Sequence, residues 1–164
     1  MPGPRRRKAR EPTSRVSERG VGQSAGGDWN YAQTFTPLAS GQLVSAQFAI
    51  IKNMGSIGDY ILRLHAVNGS GVPTDTVLTA AVVPNGAVAD GDSLVTFTFA
   101  NPFPVVTTTT YALVLARQGP GVPGVRGFEA DTCAGAAFRK TSAAGSFSPI
   151  TFPSDIFFAT FVSS

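Results

Sequence analysis

The chain has 164 residues, the usual length of one domain, and 43% of them are hydrophobic, which excludes a globally disordered protein. Only 14% are charged, whereas 18 are glycine and 12 are proline, so the composition argues against a helical bundle. The net charge of +3 is unevenly distributed. Residues 1–20 hold seven basic and two acidic residues (+5), and residues 21–164 hold six basic and eight acidic residues (−2). The chain therefore combines a basic tail with a slightly acidic domain.

We divide the sequence into an extended basic N-terminal arm (1–28) and a folded domain (29–164). The first twenty residues are polar and contain three prolines, so they bury too little apolar surface to fold alone. We expect the arm to dock on a neighbouring protein subunit, with a solvated tail and a nucleic-acid contact as alternatives. A nucleic-acid partner is not our expectation, because the first twenty residues contain no aromatic ring to stack on a base. The basic residues of the predicted docking arm are Arg5, Arg6, Arg7, Lys8, Arg10, Arg15 and Arg19.

Targeting signals are not expected in this sequence. No apolar run of signal-peptide length follows the basic start, and no window of 18 apolar residues predicts a transmembrane helix. The lone cysteine, Cys133, has no partner for an internal disulfide. We therefore expect neither a membrane partner nor a disulfide-stabilised scaffold.

From residue 29 onward, apolar residues alternate with polar ones, and turn residues recur every 8–12 positions. Val95, Phe97 and Phe99 are predicted to point inward from one such strand, which the proline-containing segment 100–104 is predicted to end. Residues 110–117 are apolar on both faces, as in a central strand. The alternation predicts strands at 30–36, 43–51, 60–67, 76–83, 93–99, 110–117, 126–130, 136–140 and 155–162.

No segment shows the apolar spacing and capping residues of a helix. Eight to ten short strands separated by irregular loops are typical of an all-β, two-sheet antiparallel sandwich. We therefore predict this fold class for the domain.

The order of several motifs resembles one group of domains. "AQTFTP" (32–37) and "SGQLVSAQFAIIK" (40–52) are followed by "YILRLHAVNGSGVPTDTVL" (60–78), "LVTFTFANPFPVVTTTTYALVL" (94–115) and "DIFFATFV" (155–162). Across residues 29–162, the chain resembles the jelly-roll, carbohydrate-binding-module-like domains of bacterial exported proteins and tailed-phage virion proteins. The resemblance implies a jelly-roll β-sandwich. Exported members carry a signal peptide or an anchor, and because none is predicted here, we expect the phage class.

Catalytic residues are scarce in the sequence. His65 is the only histidine, and no Gly-x-Ser-x-Gly motif accompanies it. We expect His65 to be a solvent-facing strand residue and Cys133 to be structural or incidental, since no second cysteine exists to share a metal. These residues predict a protein that is not an enzyme and that has no catalytic site, metal site or cofactor.

Two pairs of carboxylates have alternative interpretations. Asp90 and Asp92 flank Gly91, where calcium binding would need more oxygen ligands, so we interpret them as turn residues. Glu129 and Asp131 are two residues apart and would share a face of a strand. We interpret them as part of a polar face, in preference to a glycosidase pair, which needs a substrate cleft.

A glycan site would require exposed aromatic rings beside hydrogen-bonding groups. The best candidates are Trp29, Tyr31 and Phe128, with Arg126 and Asp131 as polar partners. For Trp29, a lid over the core is the alternative. One tryptophan and three tyrosines are few for a dedicated lectin.

The sequence therefore predicts a non-enzymatic protein of a tailed-phage virion, localised in the particle. We expect a capsid decoration or cement protein, a head-fibre protein or a tail appendage that the arm anchors to neighbouring capsid or tail subunits. A homo-oligomer such as a trimer is expected from the class. The alternative is a carbohydrate-binding module for host-surface glycans, acting as a tail or receptor-binding component.

Overall fold

The computed structural model describes residues 16–20, 30–52, 54, 57–118, 124–128, 135–141, 144–150, 155–156 and 158–164. Within these ranges there is no α-helix, and residues 85–87 form a 3-10 turn. No helix among them is long and apolar enough to span a bilayer. They form twelve strands: β1 (Val16–Gly20), β2 (Asn30–Phe35), β3 (Gly41–Lys52), β4 (Tyr60–Val67), β5 (Pro73–Val83), β6 (Gly91–Val105), β7 (Tyr111–Arg117), β8 (Gly124–Phe128), β9 (Ala137–Lys140), β10 (Ser148–Pro149), β11 (Asp155–Ile156) and β12 (Phe158–Ser163).

The strands form two six-stranded sheets, called A and B. Within each sheet, every pair of neighbouring strands is antiparallel. Sheet B has the order β10-β9-β2-β7-β4-β5. In sheet A, β3 pairs with β6 along one edge and with β12 and then β8 along the other. Strand β8 also pairs with β1 and β11. These sheets confirm the predicted all-β class with two antiparallel sheets.

The main core lies between the sheets, where the predicted alternation is confirmed. In β6, Val95, Phe97 and Phe99 are buried, whereas Leu94 is 54% exposed. Strand β3 contributes Phe48 from sheet A, and β4 of sheet B contributes Tyr60, Leu62 and Leu64 to the same cluster. A strand with one buried face contributes every second side chain to the core, which explains why the period-two pattern located these residues.

Strand β6 does not end at the prolines, as the sequence predicted, but continues to Val105. Its ladder with β3 is nevertheless broken there: the register jumps from Ser45–Thr98 to Leu43–Phe103. Among the described strands β6 pairs only with β3, and an edge strand with a bulge tolerates residues that lack an N–H. The carbonyl of Asn101 in this bulge accepts a hydrogen bond of 2.7 Å from Thr79 Oγ1, which ties the bulge to sheet B.

The central strands of sheet B, β2, β7 and β4, are buried on both faces. Strand β7 lies between β2 and β4, and all its residues from 111 to 116 are buried, which confirms the predicted central strand. Ala112 and Val114 point away from the main core into a second cluster with Ala32, Phe138 and Phe147. Residues from the segment 144–150 therefore cover the outer face of this sheet.

A hydrogen bond inside the sandwich joins the two sheets. Gln33 of β2 is fully buried, and its Oε1 atom accepts a 3.0 Å hydrogen bond from the backbone N–H of Ile156 in β11. A buried N–H without a partner would cost free energy. The Gln33 side chain supplies the hydrogen-bond acceptor that a neighbouring strand would otherwise supply to β11. Together with the pairing of β11 with β8, this bond positions β11 over sheet B.

We predict that Phe97→Ala lowers the free energy of unfolding by about 3–5 kcal/mol, because a fully buried ring leaves a cavity in the core. Leu94→Ala is the matched control, since Leu94 lies on the same strand but points outward, and its cost should stay below about 1 kcal/mol. Urea unfolding of both variants measures the difference. Similar losses for the two variants would contradict the placement of the core.

We predict that Gln33→Leu lowers the free energy of unfolding by about 1–3 kcal/mol, because the N–H of Ile156 loses its buried acceptor while the volume changes little. The control is Gln47→Leu, whose amide donates to Thr96 Oγ1 on an exposed face of sheet A. That variant should change stability by less than about 0.5 kcal/mol. Urea unfolding tests both, and an equal effect would show that the bond between the sheets contributes no more to stability than the exposed one.

Candidate functional site

The predicted site residues lie in different parts of the structure. Arg5, Arg6, Arg7, Lys8, Arg10 and Arg15 of the arm lie outside the described residues, as do Trp29, Asp131, Glu129 and Cys133. Arg19 lies in β1, and Arg126 and Phe128 lie in β8. Strands β1 and β8 pair with each other, so the structure brings part of the arm to the strand that carries two of the predicted glycan-binding residues.

Tyr31 does not present a ring to solvent. It is 6% exposed and belongs to the core between the sheets. Its strand, β2, lies between β7 and β9, so both neighbouring edges are occupied. A stacking platform needs an exposed ring face, and burial removes Tyr31 from that role.

The pairing of β1 with β8 joins a segment of the predicted arm to the predicted domain. Five residues of each strand are in register, from Val16 opposite Phe128 to Gly20 opposite Gly124. Among the described strands, β1 pairs only with β8, so it forms an edge of sheet A. The opposite edge of β8 pairs with β11 and β3, and Val125 of β8 is buried in the core. Segment 16–20 is thus an edge strand of sheet A, and the other described strands of that sheet come from residues 41–163.

A second polar cluster lies on the outer face of sheet B, around His65. The prediction of a solvent-facing histidine is wrong: His65 is 5% exposed, because the outer face of β4 is covered. Its Nδ1 atom lies 2.6 Å from the carbonyl oxygen of Thr74, and a carbonyl only accepts, so Nδ1 carries the hydrogen. Nε2 is buried and has no hydrogen-bond partner among the described residues. The ring of Phe147 meets the imidazole edge-on, with 6.1 Å between the ring centroids.

The environment of His65 disfavours its protonated form. Burial lowers the pKa of His65 below its ordinary value, and the charges of Arg63 and Lys140 act in the same direction. The hydrogen bond to Thr74 and the charge of Asp75 oppose this shift but are not sufficient to cancel it. His65 is therefore neutral in the folded chain at neutral pH, with its lone pair on Nε2.

Lys140 is the other charged group of this cluster, and it is 5% exposed. Its Nζ atom lies 2.6 Å from Asp75 Oδ1 and 5.4 Å from the centre of the Phe147 ring. The side chain of Asp75 is 75% exposed, so the ion pair opens towards water while the aliphatic stem of the lysine is covered. Phe147 thus contacts both Lys140 and His65, and it holds segment 144–150 against sheet B.

Asp90, one of the two carboxylates predicted to lie in a turn, lies beside Lys52. Lys52 Nζ donates to the carbonyl oxygens of Asn85 and Val88 and lies 3.4 Å from Asp90 Oδ1. Asp90 therefore faces a cation that holds the preceding loop to β3. Within the described ranges, no three His, Cys, Asp or Glu side chains are grouped to hold a metal ion.

Sequence reasoning missed the cluster of His65, Lys140 and Phe147. Each residue lies on a different element, and only the alternation in β4 placed His65 opposite the core-facing side chains. The one available signal was the apolar character of both faces of β7, which indicates that the sheet is covered on its outer side as well.

Comparison of the chain with protein-family models, with curated proteins and with solved structures gave no match in any of the three.

We predict that the free energy of unfolding decreases as the pH falls below about 6.5, the ordinary pKa of histidine. His65 has a lowered pKa in the folded chain, so the unfolded chain takes up the proton first, and protonation favours unfolding. His65→Gln should flatten this dependence between about pH 6.5 and 5.5. The chain has no other histidine, so urea unfolding across that range isolates the effect.

The control for the pH series is Leu94→Ala, which keeps His65 and changes an exposed residue of β6. Its pH dependence should match that of the unaltered chain. An unchanged slope in His65→Gln would contradict the assignment.

Proposed function

We propose that this chain is a non-enzymatic structural protein of a tailed-phage virion, a capsid decoration or cement protein or a head-fibre protein, with a jelly-roll sandwich and an anchoring N-terminal arm. The resemblance of the motifs over residues 29–162 and the two antiparallel sheets support the proposal. The observation that carries it is the pairing of arm residues 16–20 with β8 as an added strand. Strand addition is a general mode of recognition between chains, because backbone hydrogen bonds supply the contact.

The charge distribution supports an anchoring role for the arm. Residues 1–20 carry a formal charge of +5, whereas the remainder of the chain carries −2. A basic arm favours an acidic partner surface, and single contacts of this kind are weak. In a symmetric shell many copies act together, and multivalency converts weak contacts into stable association.

The chemistry of the described residues supports the non-enzymatic part of the proposal. His65 is buried, its Nδ1 is bound to a backbone carbonyl, and Phe147 packs against its ring. A general base needs access to a substrate proton, and this histidine is covered. The glycan-binding alternative gains no specific support, because Tyr31 is buried in the core.

We predict that deleting residues 1–15 leaves a folded domain that no longer joins phage particles. This deletion retains β1, so β8 keeps its neighbour while six of the seven basic residues of the arm are lost. The measurement is the amount of the protein in particles purified from infected cells on a density gradient, together with the circular dichroism of the purified variant.

The matched control is Arg139→Gln, which removes one exposed positive charge from the domain and leaves the arm intact. It should be incorporated like the unaltered chain. Undiminished incorporation of the 1–15 deletion would refute the anchoring role.

A further inference from the structure

We propose that sheet B opens on its outer face in acid: protonation of His65 displaces the cover, residues 144–149, while the main core stays folded. The contacts involved lie within the domain, so this device is independent of the proposed virion role. It also differs from the loss of global stability at low pH, because the first event is confined to one segment. The device consists of a buried histidine, the Phe147 ring that covers it and the short strand β10 that holds this ring.

His65 has no acceptor for a second ring hydrogen in the closed arrangement. Its side chain is 5% exposed, and Nδ1 already donates to the carbonyl oxygen of Thr74 at 2.6 Å. Nε2 is buried without a hydrogen-bond partner among the described residues, and the Phe147 ring packs edge-on against the imidazole. Protonation places a hydrogen on Nε2. A buried donor without an acceptor costs free energy, and the cost is larger on a charged ring.

The charged groups around His65 do not compensate for this cost. Burial is the main reason that the pKa of His65 is lowered, and the charges of Arg63 in β4 and Lys140 in β9 add to the effect. Asp75 of β5 attracts the proton, but this carboxylate is paired with Lys140 at 2.6 Å and is 75% exposed to water. The neighbour of His65 on β7 is an alanine, and residues 144–150 contain no charged side chain. The closed arrangement therefore favours the neutral imidazole.

The cover is attached to the domain by few contacts. Of residues 144–149, only Phe147 is buried. The two residues of β10 pair with β9, and one of them is a proline, which has no N–H to add to the ladder. Ile150, which follows, packs against the main core and donates from its N–H to the carbonyl oxygen of Ala137 at 2.9 Å, so that end is fixed. Local opening of a segment with so few buried contacts costs less free energy than global unfolding.

Opening gives the imidazole access to water, which accepts the second hydrogen. The opened form therefore takes up a proton near the ordinary histidine pKa of about 6.5, whereas the pKa of His65 in the closed form is lower. Because the opened form binds more protons, its population rises as the pH falls below about 6.5. One pH unit below that value, the ratio of opened to closed molecules is about tenfold higher than at neutral pH.

Opening uncovers an apolar surface on a sheet that remains folded. Ala32, Ala112, Val114 and Phe138 form the outer cluster with Phe147, and all are buried in the closed arrangement. Strands β2, β7 and β4 stay paired with one another, and their inner faces stay packed in the main core. Acid thus converts a covered face into an exposed apolar patch, the kind of surface that binds apolar groups.

The test measures access to a single thiol beneath the cover. Cys133→Ser removes the native thiol, and Ala32→Cys places a new one in the outer cluster, at a fully buried position. The matched reporter is Ala46→Cys, because Ala46 is equally buried but lies in the main core between the sheets. Each full-length chain is mixed with dithiodipyridine, which reacts with thiols in acid as well, and the labelling rate is followed by absorbance.

Each reporter is also made in a His65→Gln chain. The labelling rate with His65 divided by the rate with His65→Gln, at the same pH, cancels the intrinsic reactivity of the thiol. For Ala32→Cys, we expect this ratio to rise about tenfold between about pH 7.5 and about pH 5.5. Low urea concentrations should leave the labelling of Ala32→Cys nearly unchanged, because opening exposes little surface, and should accelerate the labelling of Ala46→Cys.

Phe147→Ala tests whether the ring is the restraint. This variant should label Ala32→Cys rapidly at neutral pH as well, with little further increase in acid, because the covering ring is gone. Slow labelling in Phe147→Ala, or a ratio that does not change with pH in the His65→Gln comparison, would overturn the inference. Equal rates and equal urea dependence for Ala32→Cys and Ala46→Cys would overturn it too, since the outer face would then open only by global unfolding.

Discussion

Burial of the central strands of sheet B on both faces is the constraint on which the rest of the structure depends. Its inner face forms the core with sheet A, and its outer face needs a second cover, which Phe147 and its neighbours supply. Polar side chains on that outer face are thereby taken out of water, so each needs a partner. His65 finds the carbonyl of Thr74, and Lys140 finds Asp75. The fixed position of the cover and the neutral state of the histidine are therefore two results of the same packing.

The positions of the main strands could be predicted from the sequence, because period-two alternation follows directly from one-sided burial. It placed β4 at 60–67 and placed Phe97 inward and Leu94 outward in β6, all of which the structure confirms. The same reasoning misplaced His65, since alternation separates two faces without telling which of them water reaches. The two-residue strand β10 is too short to have a period, and β6 passes the prolines because the sheet edge tolerates them.

The pairing of residues 16–20 with β8 and the surroundings of the predicted glycan-binding residues were harder to predict from the sequence. The composition predicted a basic arm, but the segment 16–20 has no alternating apolar pattern, and its pairing with β8 depends on backbone groups of a distant part of the chain. Tyr31 was chosen for its residue type, yet its strand lies inside sheet B, where the ring is buried. Trp29 and Asp131 lie outside the described residues, and their roles stay predictions.

The prolines and the bulge of β6 have a consequence for how this edge of sheet A meets other chains. Strand β6 forms the edge of sheet A on the far side of β3 from β8. Pro102 and Pro104 present no N–H there, and the break in the ladder bends the strand, so that edge is a poor template for a further chain. Edge-to-edge aggregation through β6, the usual hazard of an exposed sheet edge, is therefore disfavoured.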